Sequence, residues 1–158
     1  MRKFTVHQIG CISSKNGEFG IKLEPEYRIA LTGIDDFGYV NILWWFSGCD
    51  DYSSRNKLTE QKPYRCGPDI LGTFATRSPL RPNPIALSCS GITYVDVENG
   101  VIGLSYIDAY DGSPVLDIKP YVPSLDKVSD IIVPKWYSHW PENVEDSGEF
   151  DWEREFNF

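Results

Sequence analysis

Two guanidinium groups on a stiff connector are the first feature of this chain suited to chemistry. The stretch Gly72-Thr-Phe-Ala-Thr-Arg-Ser-Pro-Leu-Arg-Pro-Asn-Pro-Ile-Ala-Leu-Ser88 places Arg77, Arg81 and Asn83 among three prolines. Each proline fixes its own φ and drives the preceding residue into extended geometry, so Ser78-Pro79, Arg81-Pro82 and Asn83-Pro84 make a rigid segment. A guanidinium held on such a segment suits planar recognition of a carboxylate, a phosphate or a stacked base, because little freedom is lost on binding. The competing explanation is a proline-rich turn whose arginines pair with nearby acids. A second charged cluster lies in Asp108-Ala-Tyr-Asp-Gly-Ser-Pro-Val-Leu-Asp-Ile-Lys-Pro-Tyr121. Strict alternation there puts Val115, Asp117 and Lys119 on one face and Leu116, Ile118 and Pro120 on the other. Asp117 and Lys119 are expected either to form an ion pair, extending to Arg77 or Arg81, or to wall a reacting amine while orienting the loop of Tyr121.

Together these stretches resemble the RPNPI and DGTPVLDIKPY motifs of the TsaA-like, TrmO-type family, with Ser113 in place of the second motif's usual threonine. A weaker likeness runs through Ile9-Gly10, Phe19-Gly-Ile21 and Trp44-Trp-Phe46. The resemblance implies a small β-barrel that binds S-adenosyl-L-methionine, commonly as a homodimer with the pocket near the subunit contact. It also implies an S-adenosylmethionine-dependent methyltransferase acting on N6-threonylcarbamoyladenosine at position 37 of tRNA. By the same resemblance Arg77 and Leu87 contact the cofactor, and Lys22, Leu23, Glu24, Phe46, Ser47, Ile107, Asp108, Ala109 and Tyr110 complete its pocket. Asp108 is then the partner of the cofactor's amine or ribose. Arg81 and Asn83 are the substrate-binding candidates, and Asp117, Lys119 and Tyr121 the catalytic ones.

Besides Ser113, one segment and two single residues depart from the family pattern. Lys22-Leu-Glu24 stands where proline, arginine and glutamine are usual, Ser47 where histidine is common, and Ala86 where glycine follows RPNPI. Glu24 is either an exposed carboxylate or an acceptor for a ribose hydroxyl or the methionine amine. Ser47 is either a cofactor contact or a plain strand end, and the Ala86 methyl either narrows the pocket or is absorbed. Methyl transfer from a sulfonium needs in-line positioning of the acceptor more than a dedicated nucleophile, so the missing histidine does not forbid it.

The elements expected to hold these groups are strands. Phe4–Ile9, Tyr27–Gly33, Tyr39–Phe46, Ile70–Thr76, Ile85–Val97, Val101–Tyr106 and Val115–Tyr121 read as strands, with Ile131–Trp136 as a further candidate. Tyr39–Phe46 is so continuously apolar that cover on both faces or an oligomer contact is expected. Asn99-Gly100 signals a hairpin, Ser13–Pro25 reads as a loop, and the polar stretch 48–69 as a short helix or mobile lid. The fold class is therefore all-β or β-dominated, a single small barrel with short helices or loops. No GxGxxG and no strand-helix alternation is present, which excludes a Rossmann fold. The barrel domain is read as residues 1–140, followed by a tail over 141–158.

Composition narrows the function further. At 158 residues and 41% hydrophobic, the chain can bury a core without disulfides. Four scattered cysteines, no CxxC pair and two histidines give no metal set, and Cys49 beside Asp50-Asp51 lacks a histidine partner. Most of the cysteines are expected to act as small hydrophobes in the core or under loops, and His7 to serve packing or the surface. No apolar run spans a membrane and no leader is visible, so a cytoplasmic protein is expected. The net charge is −8, of which the stretch Glu142–Phe158 contributes −6 through seven acids and one arginine. That balance opposes broad tRNA binding and leaves open methyl transfer to a small metabolite, or cofactor binding without catalysis. The tail is expected to be solvated unless Phe150, Trp152, Phe156 and Phe158 dock.

Overall fold

Short strands with one buried face, turned by glycine-containing loops, close on themselves in the computed structural model, which describes residues 2–157. β1 (Gly10–Lys15) and β2 (Glu18–Leu23) are joined by Asn16-Gly17 at φ 55° and 79°, the paired left-handed geometry of a two-residue hairpin. β3 (Tyr39–Trp45) follows a 3-10 helix over Pro25–Leu31. β4 (Thr59–Gln61) and β5 (Ile70–Gly72) form a separate two-stranded hairpin. β6 (Ile85–Asp96), β7 (Val101–Leu104) and β8 (Pro114–Pro120) complete the barrel in the order β1-β2-β7-β6-β3-β8, with β8 pairing back onto β1. Closure leaves no exposed barrel edge.

The core is aliphatic. Ile12, Ile21, Val40, Ile42, Ile102 and Val115 are at most 1% exposed and fill the barrel. Burial of each such side chain contributes about 1.5–3 kcal/mol. Ala86 lies in this core opposite Trp44, so its methyl group is absorbed there.

Several sequence expectations need correction. Phe4–Ile9 is not a strand; Phe4 and Val6 are exposed, and the first strand begins at Gly10. The supposed loop Ser13–Pro25 holds the end of β1 and all of β2. Tyr27–Leu31 is helical, with Thr32-Gly33 a turn, because Pro25 occupies the first turn and only Leu31 buries its side chain. Ile70–Thr76 leaves β5 after Gly72 for a 3-10 turn, and Ile131–Trp136 forms no strand. β3 alternates between buried and half-buried residues, so it has one core face. A β-bulge changes the face pattern of β8. Leu43 pairs with Asp117 but Trp44 pairs with Val115, which leaves Leu116 as an extra residue. Val115 therefore enters the core, apart from Asp117 and Lys119.

Strand polarity defines two mouths. β1, β3 and β7 end at an upper mouth, beside the turn at Asn16-Gly17, the long connection 46–84 and the loop 105–113. β2, β6 and β8 end at a lower mouth, beside residues 24–38 and the turn at 97–100. Beyond Pro120 the chain straps the outside of the barrel. The Asn41 amide donates to Asp126 at 2.9 Å, and the Tyr39 hydroxyl donates to Glu145 at 2.8 Å. The acidic tail docks through its rings: Trp140 meets Trp152 edge-on at 4.9 Å, and Phe150 meets Trp152 at 4.8 Å. Phe158 lies outside the described residues.

Candidate functional site

The proline-rich connector is held chiefly by its own carbonyls. Arg81 is partly buried and donates from Nε to Ser78 O at 2.7 Å and from Nη2 to Thr76 O at 2.7 Å and Thr73 O at 3.4 Å. Its guanidinium thus ties the turn together, which corrects the expectation of an ion pair with Asp117. The Ser78 hydroxyl donates to Glu60 at 3.0 Å, joining the connector to β4. Asn83 is exposed and accepts from Arg55 Nη2 at 3.3 Å. Arg55 also donates to Pro82 O at 2.9 Å and lies 6.0 Å from the Trp45 ring centroid. Arg55 was hidden in the polar stretch. Asp51-Tyr-Ser-Ser signals its helix, since the Asp51 carboxylate accepts from the Ser53 and Ser54 amides, but nothing local reveals the reach to Pro82.

Arg77 has the opposite character. It is exposed, and Nη2 donates to the Leu87 carbonyl at 2.7 Å, which fixes the guanidinium against β6. Leu87 is itself 51% exposed. Phe46 follows β3 at the same mouth, with its amide bonded to Pro84 O at 2.9 Å and its ring 4.8 Å from Trp44. The Ser47 and Ser113 hydroxyls are 3.4 Å apart, so two residues that depart from the family pattern meet. Of the loop 107–110, Ile107 is buried in the core, Ala109 packs against it, and Asp108 and Tyr110 are exposed. Asp111 accepts from the Ser14 amide at 3.1 Å and pairs with Lys15 at 3.2 Å, and the amide bond chiefly holds its carboxyl below the usual range.

Of the remaining sequence candidates, Lys22, Leu23, Glu24, Lys119 and Tyr121 belong to the lower half of the barrel, and Asp117 lies across Leu43 from Leu87. Lys22 is exposed and its Nζ donates to the Asn99 carbonyl at the β6–β7 turn. Leu23 is 3% exposed and belongs to the core, so its side chain is committed to packing. Glu24 is exposed. Asp117 and Lys119 form a 2.6 Å ion pair on the outer face, and the half-buried Tyr121 bonds its amide to Tyr39 O. Asp117 also lines a cavity of about 230 Å³ with Leu23, Tyr27 and Ile118; a second, of about 260 Å³, lies beside Phe19, Lys22 and Tyr94. Both are smaller than the ~300 Å³ at which ligand pockets begin, and neither touches Arg77. Arg77 and Leu87 are both exposed in the single chain. Among the described residues no cluster of three or more histidine, cysteine or acidic side chains is arranged to hold a metal, and all four cysteines are free, Cys66 being exposed. Among the described residues no helix is long and apolar enough to cross a membrane.

Comparison with known proteins follows this geometry. An S-adenosyl-L-methionine-binding protein of Archaeoglobus fulgidus is 37% identical over 111 residues, covering 70% of this chain and 74% of that protein. A tRNA (adenine(37)-N6)-methyltransferase of Escherichia coli is 34% identical over 132 residues, covering 81% of this chain but 55% of that enzyme. The crystal structure of TrmO from Pseudomonas aeruginosa superposes with a TM-score of 0.64 at 30% identity, covering 83% of this chain and 62% of that one. Residues 7–127 match the tRNA-methyltransferase O N-terminal domain. With the closed barrel and both motifs in place, this chain belongs to that TrmO, TsaA-like family.

Proposed function

We propose that the chain is a cytoplasmic methyltransferase that binds S-adenosyl-L-methionine at the upper mouth and methylates N6 of adenosine 37 in tRNA. The acceptor we favour is the threonylcarbamoyl-bearing adenosine. The observation that carries this reading is the Arg77 guanidinium, pinned by one nitrogen to Leu87 O while its exposed edge remains available for a carboxylate. The residues there fit the cofactor's parts. Exposed Leu87 and the Phe46 ring offer apolar surface, and the exposed Ser47 and Asp108 offer polar atoms for an amine, a ribose or a base. The bound cofactor supplies an electrophilic methyl group.

The chain's own residues then align the acceptor nitrogen and exclude water, with no nucleophile required. Arg81 contributes by keeping the connector rigid, and Asn83 presents its exposed amide on the substrate side. Lys22, Glu24, Lys119 and Tyr121 lie toward the lower mouth, whereas Asp117 pairs with Leu43, the same residue that pairs with Leu87. A homodimer that sets the lower mouth of one copy beside the upper mouth of the other would join the two groups, and the exposure of Arg77 and Leu87 in the single chain supports such a completion. The acidic balance of −8 favours a second reading, transfer to a small metabolite. Incubation with labelled cofactor distinguishes them: label is expected in tRNA bearing the threonylcarbamoyl group and in no small-molecule extract. Label in the extract alone would favour the second reading, and binding without transfer to either would reduce the chain to a cofactor-binding module. Sedimentation at micromolar concentration is expected to give a dimer; a monomer that binds cofactor fully would remove the two-copy site.

A further inference from the structure

The strap beyond residue 127 lies outside the family match, yet it is packed against the hairpin that supports the Arg77 connector. Tyr64 links the two. It is 7% exposed and takes rings from three strap residues: Trp136 stacks at 5.2 Å, Trp140 meets it edge-on at 5.4 Å, and Phe156 tilts at 5.7 Å. Backbone contacts reinforce the rings. Tyr64 forms a β-bridge with Phe156, the Arg65 amide donates to Glu155 O at 3.0 Å, and the Asn157 amide donates to Pro63 O at 3.1 Å. Lys62 sits at φ 40°, an unfavourable conformation for a side-chain-bearing residue, and its carbonyl accepts from the Asn157 side chain at 2.8 Å. Glu155 locks the strap by accepting from Trp140 Nε1 at 3.0 Å and His139 Nε2 at 2.9 Å.

From this hairpin the contacts continue into the connector. Glu60 accepts from Ser78, and the Thr73 amide donates to Leu58 O at 3.0 Å. Tyr64 also lies near Arg77 itself. Burial raises its phenol above the usual value, and the Arg77 amide and the charges of Arg77 and Arg81 oppose that rise. The run of contacts is therefore continuous from the strap rings through Tyr64 and its hairpin to the connector at Thr73 and Ser78.

We propose that Tyr64 and the strap's aromatic cluster position the Arg77 connector, so that cofactor affinity depends on a segment that does not touch the cofactor. This rests on the reading of Arg77 as a cofactor ligand. Tyr64 is a positioning residue, and the strap sets by intramolecular packing where the internally rigid connector sits on the barrel.

The test uses the full chain. Trp140→Ala removes the centre of the cluster and Trp140→Phe restores a ring; Tyr64→Phe keeps the ring and removes only the hydroxyl beside Arg77. Titration with S-adenosyl-L-methionine is expected to show about 2- to 30-fold weaker binding for Trp140→Ala, partial recovery for Trp140→Phe, and a smaller loss for Tyr64→Phe. Hydrogen exchange without cofactor is expected to accelerate at the amides of Thr76, Arg77 and Ser78 but not in β3 or β8. Wild-type affinity in both Trp140→Ala and Tyr64→Phe, beside a weakened Arg77→Ala, would overturn the brace and leave the cofactor site standing. Exchange that rises uniformly across the barrel would reduce the strap to general stability. Wild-type affinity in Arg77→Ala would remove the cofactor reading and this inference with it.

Discussion

The proline-rich connector and the C-terminal strap both lack a regular ladder, but they are held in different ways. The connector is fixed largely from within: three prolines restrict its backbone, and Arg81 binds three carbonyls between residues 73 and 78. The strap is fixed from outside. Its 3-10 turns at Lys135–Tyr137, Glu145–Glu149 and Trp152–Arg154 are too short to stand alone, and rings and a few side-chain bonds tie it to Tyr64, Tyr39 and Asn41. Rigidity encoded locally suits a loop that must present a guanidinium. Rigidity borrowed from distant contacts can be lost without unfolding the barrel.

Substitutions can break that contrast. The largest expected effect belongs to the barrel on which both regions rest. Ile42→Ala, at a fully buried position, should cost about 2–5 kcal/mol in denaturant unfolding. Trp152→Ala in the strap should shift the same transition much less, and equal losses would show that strap and barrel unfold as one unit. Arg81→Ala comes next, since it leaves partly buried carbonyls without their charged donor; a loss of about 1–3 kcal/mol is expected, with weaker cofactor binding. Unchanged stability would mean that the prolines alone hold the connector.

The smallest effect is a pH response of the strap. The hydrogen bond from His139, aided by that from Trp140, holds the Glu155 carboxyl below its usual range. A depressed carboxylate contributes stability that is present above its unfolded value and disappears as pH falls through the folded one. Tryptophan fluorescence from the strap should therefore change on acidification below the ordinary carboxylate range, before the barrel unfolds. In Glu155→Gln that early change should vanish, and its persistence would assign the response to another acid.

The same contrast explains what the sequence revealed. β3 was legible as an apolar run and β8 from its alternation, although the bulge at Leu116 breaks the period of its inward residues, and Gly100, at φ 67°, supplies the left-handed residue of the expected β6–β7 turn. The β1–β2 hairpin carried a similar signal at Asn16-Gly17, but the polar Ser13-Ser14-Lys15 and the adjoining glycines made a loop reading prevail. Tyr27–Leu31 imitated a strand because its apolar residues alternate, whereas Pro25 and the burial of Leu31 alone produce a 3-10 helix. In the connector, the stiffness around Arg77 was legible from its three prolines. Arg55 and Tyr64 were not, because their roles depend on partners at Pro82 and in the strap.

Isothermal titration of the folded chain and of Arg77→Ala with S-adenosyl-L-methionine and S-adenosylhomocysteine tests the central claim most directly. The chain is expected to bind both ligands, and Arg77→Ala to bind each at least about tenfold more weakly with its fold intact, as loss of a charge-assisted pair predicts. Equal affinities in the two proteins would contradict the Arg77 site, and no binding by a folded sample would contradict the methyltransferase reading as a whole.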